Sequence, residues 1–479
     1  MITIDFENRC EFGLCECIYA QIKTQILNGT LLPDEKLPSK RSFAEHLGVS
    51  VITIQNAYAR LISEGYLYSI EKKGFFVTNL SLEEVPDFSK DSKNSPAEND
   101  SKIFLPQFEK TDFFTDFRNN STSSEKFPFS LWTHLMRKVL KTNDERLLSR
   151  IPANGVFELR KAIAKYLLEF RNMNVSAEQI VIGAGTESLY TMLVQFFGRD
   201  KLYAVENPGY HKVAKIFELN GAAVVPVDID ESGINSDLLE KSSADVVHIS
   251  PAHHFPTGVV MPVKRRREIL SWANESENRF IIEDDYDSEF RFNGKPLQTL
   301  QNADENAKVI YINTFSKTLS PSFRISYMVL PERIVNDFFD RLGFYSCPVS
   351  AFEQFTLAEF INQGFFGKHI IRMKNYYRNL RNNLINQLEA SKIASIAKIN
   401  EEEAGLHFLL KLNSPLDGKR LQQKLEEHKI RIPLLSDFYY TKNLGDTPEN
   451  PTFVLNYSGI QKERISETVR RMEDSIIQS

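Results

Sequence analysis

The stretch TFSKTLSPSFR (314–324) sets one lysine, Lys317, among hydroxyl side chains, with Arg324 seven residues on. It overlaps KVIYINTFS (308–316), an apolar, β-branched run that predicts a buried strand. A desolvated lysine at a strand end can form a Schiff base with an aldehyde. A lone lysine is ordinarily a solvated surface residue, so its neighbours decide the reading. Thr314 and Ser316 offer hydroxyls, and Arg324 offers a forked cation suited to a phosphate.

Further upstream, GAGTES (183–188) joins a predicted strand to a helix. Free amides and the helix dipole favour a phosphate at such a junction. IIEDDYD (281–287) ends another strand with carboxylates and a tyrosine. An aldehyde that carries a phosphate and a basic ring nitrogen fits all of these parts. That molecule is pyridoxal 5′-phosphate (PLP), which needs a lysine, a carboxylate for its ring nitrogen and a donor near its phenolic oxygen.

The surrounding chain has the rhythm of an α/β domain. QIVIGAG (179–185), KLYAVENPGY (201–210), AAVVPVD (222–228), DVVHIS (245–250), RFIIEDDY (279–286) and ISYMVL (325–330) read as further strands, several separated by helical stretches. Such alternation predicts a mostly parallel sheet covered on both faces. Beyond about residue 340 the pattern turns helical. Short strands then follow at GLHFLLKL (405–412) and TFVLNY (452–457), which predicts a small α+β lobe.

The first eighty residues differ. In LPSKRSFAEHLGVSVITIQNAYARLISEGYLYSIEKKGFFV (37–77), Ser39 can cap a short helix with Phe43, Ala44 and Leu47 on one face, and Gly48 ends it. Ser50 can cap a second helix with Ile54, Ala57, Tyr58 and Leu61 as its apolar stripe, stopped by Gly65. Two short helices joined by a tight glycine turn predict a helix-turn-helix. Val51, Thr53, Gln55 and Asn56 fall off the stripe of the second helix, where this motif faces the major groove of double-stranded DNA. The hairpin tip Glu71-Lys72-Lys73-Gly74 reads as a basic wing for phosphates. An amphipathic helix near 13–28 carries Ile18, Ile22 and Ile26.

Between these parts, 81–102 is polar and too poor in apolar residues to order itself. The expected division is a DNA-binding domain at 1–80, a linker at 81–112 and a PLP-binding domain at 113–479. The net charge of −5 excludes a general polyanion magnet, but 36–77 holds six basic against three acidic residues. No apolar run approaches the about 20 residues of a membrane span, and the N-terminus lacks signal-peptide character, so a cytoplasmic protein is expected. Cys10, Cys15 and Cys17 have no zinc spacing, and reduced thiols with no metal are expected.

The motifs LPSKRSFAEHLGVS, AYARLISEGYL and KKGFFV resemble the winged helix of the GntR family of bacterial regulators. The resemblance implies that Ser39, Lys40, Arg41, the second helix (Ser50, Thr53, Gln55, Asn56) and the wing (Lys72, Lys73) touch operator DNA. The family's arginine after the capping serine is here Val51.

From about 115 to 475 the chain resembles fold-type I aminotransferases. Carried over, Lys317 is the Schiff-base lysine, Asp284 pairs with the ring nitrogen and Tyr286 with the phenolic oxygen. Gly185, Thr186, Thr314, Ser316 and Arg324 hold the phosphate, and Tyr210 lies over or beside the ring. The whole chain resembles the MocR/GabR-type regulators, which implies a head-to-tail homodimer. The usual small-lobe arginine for a substrate carboxylate falls at Gly459 or Ser458, the arginine after PGY is Lys212, and the asparagine of NPTG is Phe255. Lys212, His253 and His254 are then the candidate effector contacts. The resulting expectation is a PLP-dependent transcriptional regulator that senses PLP or an amine rather than an enzyme. The alternative is an active aminotransferase with an accessory DNA-binding module.

Overall fold

The structure is a computed structural model that describes residues 4, 13–79, 113–118, 126–142, 145–292, 297–400, 405–440 and 450–477. The chain divides into two compact units, Met1–Phe108 and Glu109–Ser479. The expected linker at 81–112 lies outside the described residues, as does Cys10.

In the first unit the described elements run α1 (Leu14–Leu27), β1 (Lys36–Leu37), α2 (Lys40–Leu47), α3 (Val51–Ser63), β2 (Leu67–Ile70) and β3 (Gly74–Val77). The strands form an antiparallel sheet in the order β1–β3–β2. Both predicted caps are present. Ser39 Oγ accepts from Ser42 N (3.2 Å), and Ser50 Oγ accepts from Thr53 N (3.1 Å). Gly48 closes α2 in the left-handed region (φ 64°), where a side chain would be strained. The stripes Ile18/Ile22/Ile26 and Ile54/Ala57/Tyr58/Leu61 meet Phe43 in one core. Tyr58 fixes it by donating to Pro38 O (3.1 Å) and stacking on Phe43.

The second unit opens with β4 (Thr115–Asp116), α4 (Phe129–Lys141) and α5 (Phe157–Arg171). Its large sheet holds β5 (Ile180–Gly183), β6 (Leu202–Asn207), β7 (Ala223–Asp230), β8 (Gly233–Ile234), β9 (Val246–Ile249), β10 (Phe280–Asp284), β11 (Val309–Thr314) and β12 (Ser326–Val329). The order is β5–β12–β11–β10–β9–β6–β7–β8. The pairs β7–β6, β6–β9, β9–β10 and β10–β11 are parallel, and β12 runs antiparallel between β11 and β5. The all-buried strands are mostly apolar, as a sheet covered on both faces requires, with His248, Asn313, Thr314 and Ser326 as their polar members. The C-terminal ends of β5, β6, β9, β10 and β11 point the same way, and ligands of open α/β sheets bind at that edge.

A second, antiparallel sheet of β13 (Ala397–Asn400), β14 (His407–Leu412) and β16 (Thr452–Asn456) forms the smaller lobe, and β15 (Ile430–Arg431) pairs with β4. Helices Phe365–Ala390 and Ile465–Ile477 pack on it through one core that includes Leu380, Leu384, Phe408 and Tyr457.

Candidate functional site

A cavity of about 280 Å³ opens at the C-terminal edge of the large sheet. Lys317, one turn past β11, reaches into it. Burial pushes its amine down to about 8, although Asp287 and Asp284 partly offset the shift. Lowering the pKa toward neutrality raises the fraction of free amine available for an aldehyde.

Asp284, the last residue of β10, lies on the cavity wall. Its Oδ2 accepts from Tyr190 Oη (2.7 Å), with His248 Nε2 at 3.6 Å. Its Oδ1 is buried without a hydrogen-bond partner. Such an orphaned carboxylate oxygen is costly unless a ligand uses it, and a pyridinium N–H is the donor it suits. Burial and the Asp284 charge hold the Tyr190 phenol far above its ordinary pKa, so it remains a donor. Glu206, also on the wall, is pushed up to about 8 by burial, against the donation from Ser250 N and with the Asp284 charge. It is therefore largely uncharged near pH 7, which leaves Asp284 without a second anion opposite it.

The phosphate end is assembled at the start of α6 (Thr186–Phe197). Gly185 precedes it with φ 84° and no side-chain cap. A Cβ there would sit 2.4 Å from Arg324 Nη2 and on a left-handed backbone, so glycine lets the guanidinium stand where it does without strain. The Gly185 N–H itself turns onto Gly183 O (3.0 Å), so the amides available to a phosphate begin at Thr186. Thr314 Oγ1 donates to Ser316 Oγ (3.0 Å) while accepting from Ser316 N and Ser326 Oγ. That fills its capacity, so in this structure Thr314 holds Ser316 in place. Arg324 adopts a left-handed backbone (φ 51°) and donates to Glu187 Oε2 (2.6 Å).

Tyr286 and Tyr210 also line the cavity. Tyr210 stands at the start of α7 (His211–Leu219), edge-on to Phe255 at 5.9 Å. The Tyr286 hydroxyl lies 3.3 Å from His253 Nδ1.

Of the three candidate effector contacts, only Lys212 reaches the wall, and there it is bonded to Glu187. Partial burial disfavours the Glu187 charge, but Lys212 and Arg324 together keep its pKa below the ordinary value. His253 and His254 lie outside the cavity lining. His253 Nδ1 meets the buried Asp287 at 2.9 Å, and His254 Nδ1 meets Thr257 Oγ1 at 2.7 Å. Burial drives His254 down to about 3, so it is neutral, and its Nε2 lies 3.5 Å from Oε2 of the buried Glu206. His253, Asp287 and His407 gather into one buried cluster whose ligand-type atoms lie within 4.8 Å of one another. The His–carboxylate hydrogen bond accounts for its tightest contact. Sequence reading missed Tyr190, His248, Glu206 and Glu187. Only Glu187 carried a signal, as an acid in the first turn of a phosphate-binding helix.

In the first unit, Ser39, Arg41, Ser50, Gln55, Asn56, Lys72 and Lys73 are all exposed. Lys40 and Thr53 are half-buried, Lys40 with its amine 5.3 Å from the Phe75 ring. The hydroxyls of Ser39 and Ser50 are engaged as caps. Lys72 takes the left-handed position of the wing turn (φ 61°).

Residues 119–454 match the family Aminotransferase class I and II, and residues 14–77 match Bacterial regulatory proteins, gntR family. The chain is 34% identical to the uncharacterized HTH-type transcriptional regulator YdeL of Bacillus subtilis (strain 168), over 98% of each chain. It is 28% identical to the probable rhizopine catabolism regulatory protein MocR of Rhizobium meliloti, over 96% of this chain and 93% of that one. This chain belongs to the MocR/GabR-type transcriptional regulators. In fold, the large unit of this regulator is similar to Pyrococcus horikoshii kynurenine aminotransferase. The TM-score is 0.67 at 22% identity, covering 77% of this chain and 92% of that one. As a member of the aminotransferase class I and II family this regulator has PLP as its cofactor, and DNA is the partner of its GntR unit. PLP supplies an electrophilic aldehyde and an electron-withdrawing ring. Around it Lys317 would provide the amine, Asp284 Oδ1 the ring-nitrogen acceptor, Tyr286 a phenol, and Thr186, Ser316 and Arg324 the phosphate contacts. No described helix is long and apolar enough to cross a membrane.

Proposed function

We propose that this MocR/GabR-type regulator uses its aminotransferase-type cavity to sense PLP itself, or an amine that reacts with bound PLP, and converts occupancy into a change in operator affinity. One observation carries the reading. Of the three described lysines and arginines on the cavity wall, Lys212 and Arg324 both pair with Glu187, and Lys317 is the amine that this reading reserves for the aldehyde. A bidentate arginine clamp on a substrate carboxylate supplies two charge-assisted hydrogen bonds of about 1.5–3 kcal/mol each. A lysine already paired with an acid is a poor replacement for it. Tight retention of an α-amino acid through multiple turnovers is therefore disfavoured, whereas PLP needs no such clamp. The same reading has the protein act in the cytoplasm as a homodimer on paired half-sites, as the two-fold symmetry of operators favours.

The test is a fluorescence anisotropy titration of the full-length protein against DNA flanking its own gene, with and without added PLP, alongside a light-scattering mass. Salt-sensitive binding that shifts with PLP supports the reading. Binding indifferent to PLP transfers the effector role to an amine. The aminotransferase-like fold keeps a second reading in play, and turnover of amino donors with 2-oxo acids in the absence of any specific DNA binding would establish it.

A further inference from the structure

The exposed edge of α3 carries an anomaly. Ile52 is 69% exposed and Val51 42% exposed, side by side in the first turn. Both are β-branched, so both lose side-chain freedom in a helix and are poorer helix formers than alanine or glutamate. Neither recovers that loss by burial, because the helix buries its opposite stripe, Ile54, Ala57, Tyr58 and Leu61. Residues that violate local rules without a packing return mark functional positions.

Their neighbours say what the function is. Val51 and Gln55 are four residues apart, as are Ile52 and Asn56, and Gln55 and Asn56 are both exposed. Side chains at that spacing lie one above the other on a helix face. The face therefore holds two β-branched apolar groups at its leading end and two carboxamides one turn behind. Carboxamides bind adenine through N6 and N7, and apolar side chains in the major groove meet the 5-methyl of thymine. With an apolar leading turn, this edge lacks the cation that would favour guanine O6 and N7 there.

We propose that Ile52 and Val51 read thymine 5-methyl groups, so that each operator half-site is specified by A·T pairs whose thymine methyls pack on these two side chains. This rests on the DNA-binding regulator reading. The salt-dependent part of the affinity is then assigned to Arg41, Lys72 and Lys73, which are exposed and flank the α3 face in sequence.

The experiment selects duplexes from a random pool with the full-length protein and then replaces each thymine of the selected site, one at a time, by deoxyuridine. That change removes the methyl and leaves every hydrogen-bonding atom in place. One or two positions per half-site should weaken wild-type binding about fourfold, corresponding to about 0.8 kcal/mol for one methyl-sized group. Ile52→Ala should bind both duplexes alike at the position Ile52 reads, and Val51→Ala should do so at the other. Because Ile52 is exposed and alanine is the better helix former, Ile52→Ala should leave the thermal unfolding unchanged or slightly raised. A selected site whose affinity is indifferent to deoxyuridine at every thymine overturns the proposal while leaving the regulator reading intact. Recovery of no enriched sequence overturns both.

Discussion

The two helices proposed to meet a ligand, α3 and α6, begin differently. At the start of α3, Ser50 turns its hydroxyl onto the amide of Thr53 and closes the helix with its own side chain. At the start of α6, Gly185 offers no side chain, and no cap closes the helix. A self-capped helix has spent one of its free amides, so it presents side chains to a partner. An uncapped one keeps its amides and its dipole for an anion. On the proposed reading, one residue type at each junction separates a base-reading helix from a phosphate-binding one.

The largest effect expected on the α6 side comes from the lysine that the phosphate site serves. Lys317→Ala should abolish covalent PLP attachment, seen as loss of the visible absorbance band, together with the PLP-dependent change in DNA affinity. Far-UV circular dichroism and PLP-free DNA binding should persist, since α3 belongs to the other unit. A variant that still shifts its operator affinity on adding PLP would remove Lys317 from the sensing path.

Next comes a direct attempt to turn one junction into the other. Gly185→Ser gives α6 the cap that α3 has. The new Cβ would meet Arg324 Nη2 at 2.4 Å, on a backbone with φ 84°. Displacing one charge-assisted contact of about 1.5–3 kcal/mol predicts a PLP affinity about ten- to a hundredfold lower. Equilibrium dialysis measures it directly, and an unchanged affinity would mean that the α6 amides and Arg324 contribute little.

The pH dependence is smaller and its sign is fixed by burial. The folded-state pKa of Lys317 is depressed to about 8. Below that value most of the amine is protonated, so the rate of covalent PLP capture should rise about tenfold per pH unit up to about pH 8 and then level off. Stopped-flow absorbance between pH 6 and 9.5 tests this. A rate that keeps climbing toward the ordinary lysine range near 10.5 would show that the amine is less desolvated than its surroundings here require.

The contrast between the units also governs what a reader of the sequence alone can find. The first unit is legible because its signals are local: two capping serines, Gly48, and apolar stripes at helical spacing, all of which the structure reproduces. The strands of the large sheet are legible for the same reason. The cavity is not. IEDDYDSE (282–289) holds five carboxylates, and pattern does not rank them. The sheet ranks them. Asp284 lies on the cavity wall, Glu283 accepts from the amides of Leu300 and Gln301, and Asp285 pairs with the buried Arg171 and with Tyr311. These partners lie 17 to 114 residues away, beyond any local spacing rule. The partners of Lys212 and His254 are equally remote from any local pattern. Lys212 pairs with Glu187, on another helix, and His254 is buried with its Nε2 facing Glu206 of β6.

The smallest effect is the most discriminating for α3. Ser50 is expected both to cap the helix and to touch DNA, and a single alanine variant confounds the two roles. Ser50→Ala should lower the stability of the first unit by about 0.5–2 kcal/mol, whereas Ser50→Gly, which tolerates the N-cap conformation, should cost only a few tenths. Amide hydrogen exchange of α3 in the full-length protein reads that difference within the unit. If Ser50 acts only as a cap, Ser50→Gly should keep both the exchange protection and the operator affinity. If its hydroxyl also contacts a phosphate, Ser50→Gly should stay protected yet bind several-fold more weakly, with a shallower salt dependence. The hydroxyl is already the acceptor for Thr53 N and lies 2.8 Å from Thr53 Oγ1, so the first outcome is the expected one. Base reading on α3 then falls to the side chains that the cap sets in place.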